Sequence, residues 1–186
     1  LDMDNFFGSV KHDRLMSRLA TRVTDKRVLA LIRRYLNSGI LIGGLESPTE
    51  KGVPQGGPLS PLLSNVVLDE LDKELERRGL RFVRYADDCV IYVHSYRAAC
   101  RVKESVSRFI TKKLKLKVNE AKSAVSYPWW RKYLGFSFTS SRGKPRVRIH
   151  SKSIKRFKDR VRELTSRTCG LSIYQVIQRL NTYVRG

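Results

Sequence analysis

The sequence predicts an α+β fold: an antiparallel sheet with covering helices over residues 1–145, then a helical unit over residues 146–186. Three observations carry this. Leu80–Tyr85 and Cys89–Val93 are apolar runs flanking Ala86-Asp87-Asp88, and they read as an antiparallel hairpin. His12–Ala20 (Leu15, Leu19) and Asp25–Asn37 (Val28, Leu31, Ile32, Leu36) place apolar residues at helical spacing. Near Gly143–Ser151 the pattern changes. Beyond it, Ile154, Phe157, Val161 and Leu164 mark one face of an otherwise Lys- and Arg-rich helix, and Ile173, Val176, Ile177 and Leu180 mark a second. Strands with covering helices, followed by helices alone, make an α+β domain with a helical appendage.

The remaining elements follow in order. Leu1–Phe7 alternates apolar and acidic residues before turning apolar, as the end of a strand does. Asn37-Ser38-Gly39 stops the second helix. Ile40–Glu50, with Gly43-Gly44 and Pro48, is a loop or short hairpin. Leu59–Arg77 is a long helix, apolar early (Leu62, Leu63, Val66, Val67) and charged late, so its end is expected in solvent. Tyr96–Leu114 is helical, and Val118–Tyr127, Lys132–Phe138 and Arg146–Ile149 are strands. Trp129-Trp130 suits a strand end or a buried corner better than a stacking platform for bases. Gly170 closes the basic helix, and Ser172 caps the last one.

Composition narrows the function. At 41% hydrophobic, the 186 residues hold enough apolar material for a sizeable core. No apolar run reaches 18 residues, so a membrane span is not expected. The acidic start, Leu1-Asp2-Met3-Asp4-Asn5, carries no secretion signal. Cys89, Cys100 and Cys169 are odd in number and far apart, which argues against a disulfide framework or a zinc site. The net charge of +21 calls for a polyanion, and nucleic acid is the default. The segment after Ser141 holds 13 Lys and Arg against Asp159 and Glu163, about half of the excess.

The chemistry sits in three acids. Asp87 and Asp88 adjoin at a hairpin, where two carboxylates repel each other and resist desolvation. Alone they also suit an ordinary Asp-rich turn. Asp2, at the end of its own strand, changes this reading. If that strand pairs beside the hairpin, Asp2 and Asp87 can share divalent cations of the Mg²⁺ type, the arrangement that phosphoryl transfer by two metals requires.

Here the sequence resembles the reverse transcriptases, most closely those encoded by group II introns of bacteria and organelles. Phe82-Val83-Arg84-Tyr85-Ala86-Asp87-Asp88 is similar to their active-site hairpin, and residues 53–65 (VPQGGPLSPLLSN) to their nucleotide-binding segment. Residues 114–122 (LKLKVNEAK) and Tyr133-Leu134-Gly135-Phe136 resemble the next two blocks, in order. The resemblance implies a palm followed by the start of a thumb, or maturase-specific region. It implies an RNA-directed DNA polymerase acting on an RNA template, a DNA primer and dNTPs with Mg²⁺ or Mn²⁺. It also implies binding of group II intron RNA with help in its splicing, in a bacterial cytoplasm or an organelle.

Residue by residue, the resemblance implies Asp2 and Asp87 as metal ligands, the Met3 backbone carbonyl as a third, and Asp88 in support. It makes Phe7 the aromatic that excludes a 2′-hydroxyl, sets Pro54, Gln55 and Gly56 at the incoming nucleotide, and gives Lys122 the protonation of pyrophosphate. Leu134, Gly135 and Phe136 would grip the primer terminus, and Lys152, Lys155, Arg156, Lys158, Arg160 and Arg162 would track phosphates. Bland readings stand beside these: Phe7 as core, Lys122 and the basic helix as solvated charge. The chain departs from many relatives at Gly8, where they have Asp. In the family a fingers region precedes the first aspartate, so this chain is expected to be part of a longer protein and to bind RNA while polymerising poorly alone. Other expectations are a splicing cofactor with an idle polymerase, or a reverse transcriptase of another bacterial lineage. The three acids and Gly56-Gly57-Pro58-Leu59-Ser60-Pro61 favour the group II polymerase over both.

Overall fold

The structure is a computed structural model. It describes residues 1–38, 40–42, 45–47, 51–54, 57–139, 144–168 and 170–186, with 40–42 and 45–47 described through their backbone alone. Two compact units emerge, Leu1–Val125 and Ser126–Gly186.

The first unit is built around α4 (Ser60–Arg77), whose Leu63, Val67, Leu68, Leu71 and Leu75 are buried. These recur at three- and four-residue steps, so the core stripe runs the whole helix. The expectation that its charged end, Glu70–Arg77, reaches solvent therefore holds for Lys73, Glu76 and Arg77 but not for the whole end. Leu71 and Leu75 are in the core, and Glu70 is held by Arg14 (2.8 Å) and Arg18 from the neighbouring helix. That neighbour is α2 (His12–Ala20), which buries Leu15, Met16 and Leu19. In α3 (Lys26–Asn37), capped by the Asp25 side chain, the inward face is Leu29, Ile32 and Leu36. Val28 and Leu31, expected inside, are exposed. β1 (Ile40–Ile42) and β2 (Leu45–Ser47) form the expected short hairpin. α5 (Tyr96–Phe109), with Ser95 as its cap, runs into a π turn, Ile110–Leu114, and closes the core with Val106, Ile110 and Leu114.

β3 (Arg81–Tyr85) and β4 (Asp88–Tyr92) pair antiparallel in the expected hairpin. Leu1–Phe7 corrects the strand expectation: Met3 makes only an isolated bridge to Val118, and α1 (Phe6–Ser9) starts at once. The cause is Asn5, in the left-handed region at φ 42, which turns the chain out of extension. Backbone bonds still seat residues 1–4 as a strand would. Leu1 exchanges both bonds with Cys89 (2.7 and 3.1 Å), while Asp4 N donates to Lys117 O and Asn119 N to Asp2 O. Val118–Tyr127 is likewise no strand beyond that bridge, because Asn119 closes a turn on Lys122 and Ser123.

In the second unit, β5 (Phe136–Phe138) pairs with β6 (Val147–Ile149). Residues 132–135, expected as strand, form a tight turn into β5 instead. Pro128–Trp130 is a single 3₁₀ turn and leaves Trp130 69% exposed, against the buried corner expected. Proline at the first position, lacking an amide to donate, starts the turn. α6 (Ser151–Leu164) ends at Thr165, whose hydroxyl bonds the Val161 carbonyl, and so stops well before Gly170. α7 (Ile173–Arg185) opens with the Ser172 cap, completed by Gln175 into a reciprocal capping box. Phe157 and Tyr183 stack between the two helices. Among the described residues no hydrophobic side chain of this unit is fully buried, and no helix is long and apolar enough to cross a membrane.

Candidate active site

Tyr85 and Asp88 close the β3–β4 ladder, leaving Ala86-Asp87 as a two-residue loop. Ala86 takes φ 52, a left-handed conformation that costs a residue with a Cβ about 1–2 kcal/mol. What holds it is Arg84. Its Nη1 donates to the Ala86 carbonyl (2.9 Å) and to Asn65 Oδ1 (3.0 Å), while its Nε donates to Asp72 Oδ1 (2.7 Å) and Nη2 to the other oxygen. Asn65 and Asp72 lie two turns apart on one face of α4, so a planar guanidinium spans helix, strand and loop together. Sequence reasoning missed Arg84, Asn65 and Asp72. The signal was available: Arg84 occupies the helix-facing position in the alternation of β3, and an inward charge needs a partner.

Backbone pairing of Leu1 with Cys89 sets Asp2 beside this loop. Ser123, buried, accepts from the Asp2 amide (2.9 Å), and its hydroxyl lies 3.3 Å from the Asp2 carbonyl. It is a fourth missed residue, without a sequence signal of its own. The Asp88 carboxyl is pushed above the ordinary range, first by desolvation and then by the charges of Asp87 and Asp2; the Leu1 amine and Lys122 oppose the shift. The three acids and Lys122 thus share one electrostatic neighbourhood. Met3 is buried, and its backbone bridges Val118.

Among the described residues, no three acidic, His or Cys side chains close into a metal cage. A Mg²⁺-type ion does not need one: it keeps several waters and binds through one or two carboxylates plus substrate phosphates. Hard oxygen donors that repel each other at Asp88 suit such an ion.

The segment expected to meet the nucleotide enters beside Phe7. Val53 N donates to Phe7 O (2.6 Å), Gly52 N to Val10 O (2.7 Å), and His12 Nε2 to Gly52 O (2.6 Å). Gly52 has φ 98, and a Cβ there would stand 3.1 Å from Phe7 O and 3.2 Å from Gly8 Cα, so glycine is required by both conformation and space. Phe7 is half-buried, its ring edge-on to that of Phe6 at 5.4 Å; Phe6 is the core member of the pair. Pro54 O accepts from the Ser60 hydroxyl at the start of α4. Gln55 and Gly56 lie outside the described residues.

In the second unit, Tyr133 and Phe136 exchange backbone bonds around Leu134 (φ 49) and Gly135 (φ 90). The turn presents Leu134 and Phe136 about half-exposed, and Gly135 O accepts from His150 N and the Ser153 hydroxyl. A leucine at positive φ is strain that the surrounding bonds must hold. On α6, Lys152, Lys155, Arg156, Lys158, Arg160 and Arg162 are all exposed. Arg160 pairs with Glu163 and Arg162 with Asp159, so two of the six charges are partly balanced within the helix.

Residues 1–138 match the family described as reverse transcriptase (RNA-dependent DNA polymerase), and residues 154–186 match the group II intron maturase-specific domain. Protein YkfC of Escherichia coli (strain K12) is 28% identical over 68% of this chain and 42% of its own length. The group II intron-encoded protein LtrA of Lactococcus lactis subsp. cremoris is 25% identical over 68% of this chain and 32% of its own. The chain therefore spans less than half the length of these curated relatives. A solved partial Cas6-RT-Cas1–Cas2 complex is similar at 32% identity over 63% of this chain and 22% of that one, with a TM-score of 0.35.

Proposed function

The chain belongs to the reverse transcriptase (RNA-dependent DNA polymerase) family, and on that footing we propose that it copies an RNA template into DNA and binds group II intron RNA to assist splicing. The observation that carries the catalytic half is the backbone pairing of Leu1 with Cys89, which sets Asp2 next to Asp87 and Asp88. The maturase-specific match over residues 154–186 supports the intron half, as does the similarity to LtrA.

Family members work with divalent metal. In this chain Asp2 and Asp87, with the Met3 carbonyl, would hold Mg²⁺ or Mn²⁺, and Asp88 would support them. Two such ions, when bound, would supply activation of the primer 3′-hydroxyl and neutralisation of charge on the leaving pyrophosphate. The protein's own residues do the rest. Arg84 fixes the loop that carries Asp87, so the carboxylate need not reorganise as charge develops. Phe7, Pro54, Gln55 and Gly56 bound the dNTP, Phe7 by filling the space a 2′-hydroxyl would need. Lys122 would give its proton to the departing pyrophosphate. Leu134, Gly135 and Phe136 hold the primer end on a turn with little freedom. The basic face of α6 tracks phosphates of the intron or template. We take residues 1–145 as palm and 146–186 as the start of the thumb, a division supported by family matches that end at 138 and resume at 154. A bacterial cytoplasm or an organelle is the setting we infer.

Primer extension tests this. A DNA primer on an RNA template should be extended by the longest open reading frame encoding this chain in the presence of Mg²⁺, and extension should stop with chelator. Extension that persists without divalent metal refutes the metal role. Intact RNA binding with no extension under any divalent ion would favour a splicing cofactor with an idle polymerase.

A further inference from the structure

The aromatic residues at the start of the second unit are built into a shelf. Trp130 N donates to Tyr127 O (3.1 Å), and Pro128 fixes the turn between them. Tyr127 lies flat on Trp129, with centroids 4.9 Å apart and planes 9° apart, while Trp130 meets Tyr127 at 89° and 5.4 Å. Two of the three rings remain open: Trp130 is 69% exposed and Tyr127 46%. An indole is among the largest apolar surfaces a protein carries, and a solvent-facing one held by packed neighbours is unusual unless something covers it.

The surroundings say what. Arg131 and Lys132 follow directly and are exposed, and no acidic residue occurs between Glu120 and Asp159. An apolar ring set in an unbroken cationic stretch complements a polyanion with exposed π-faces, whereas a protein partner with a hydrophobic patch would not require the charge. Single-stranded nucleic acid has this chemistry, because its unpaired bases stack on aromatic rings while its phosphates meet Lys and Arg. A duplex hides those base faces.

We propose that Tyr127, Trp129 and Trp130 form a stacking site for an unpaired base of single-stranded RNA, with Arg131 and Lys132 holding the adjoining phosphates. It rests on the RNA-binding part of the function proposed above and adds to it a contact that selects unpaired strand over helix. Tyr127 and Trp129 form the fixed back of the shelf, and Trp130 offers the open face.

The test is fluorescence anisotropy of this chain with a labelled unstructured oligo(U) RNA and with an RNA duplex of equal length. Trp130→Ala should weaken oligo(U) binding about tenfold while leaving duplex affinity and the slope of log K against log[salt] unchanged, since stacking releases no counterions. Trp130→Phe should restore most of the loss. Equal weakening for both RNAs, or none for either, overturns the site while leaving the polymerase reading intact. Failure of the wild-type chain to bind either RNA removes both. A change in sedimentation on Trp130→Ala with unaltered RNA affinity would reassign the shelf to protein contact and overturn the proposal.

Discussion

At the scale of single residues, Asp88 makes a measurable prediction. Its carboxyl is raised by desolvation and by the charges of Asp87 and Asp2. A raised folded-state value means that the favourable contribution is present at low pH and is lost as pH rises through that value. At neutral pH without metal, ionised Asp88 therefore opposes folding, and Asp88→Asn should raise the melting temperature in chelator. Mg²⁺ should raise the wild-type melting temperature more than that of the variant, because the ion relieves a repulsion the variant lacks. A variant that melts lower than wild type in chelator would contradict this. Asp2, Asp87 and Asp88 could be singled out in the sequence only together: the adjacent pair alone also suits an ordinary turn, and Asp2 at the end of a separate segment, with the ordered motifs around them, set them apart. Arg84, Asn65, Asp72 and Ser123 were not singled out: their roles depend on which helix face and which turn lie opposite, and that is settled by packing rather than by local spacing.

At the scale of elements, long periodic segments were legible and short extended ones only in part: Arg146–Ile149 supplies β6, and Lys132–Phe138 keeps only its last three residues as β5. α2, α4, α5 and the β3–β4 hairpin follow their patterns. Residues 1–7 failed as a strand because one left-handed residue, Asn5, outweighs alternation, and residues 118–127 failed because Asn119 bonds back on its own turn. In α3 the expected Ile32 and Leu36 face the core, but the stripe is broad, and the core took Leu29 in place of Val28 and Leu31. The contact between Gly52 and the Phe7–Gly8 backbone could not be read at all, since it joins segments more than 40 residues apart. It predicts that Gly52→Ala destabilises the chain by about 1–3 kcal/mol, through positive φ and a Cβ pressed on backbone. Urea denaturation checks this, and a change under about 0.5 kcal/mol, the range of an uneventful surface substitution, would show that the segment yields freely.

At the scale of the molecule, a net charge of +21 on 186 residues means that the RNA affinity proposed above should be strongly salt-dependent. Under the function proposed above, binding and chemistry would reside in different residues: phosphate contacts would draw on Lys and Arg throughout the chain, and catalysis on three carboxylates in the first unit. The two should therefore separate under mutation, and the most direct measurement compares them in one preparation. Wild type and Asp87→Asn, in the longest open reading frame that encodes this chain, are assayed for Mg²⁺-dependent DNA synthesis on an RNA template and for affinity to the same primer–template. Synthesis should fall by at least about a hundredfold with affinity unchanged or slightly higher, since a negative charge leaves the site. Synthesis near the wild-type rate in Asp87→Asn would contradict this.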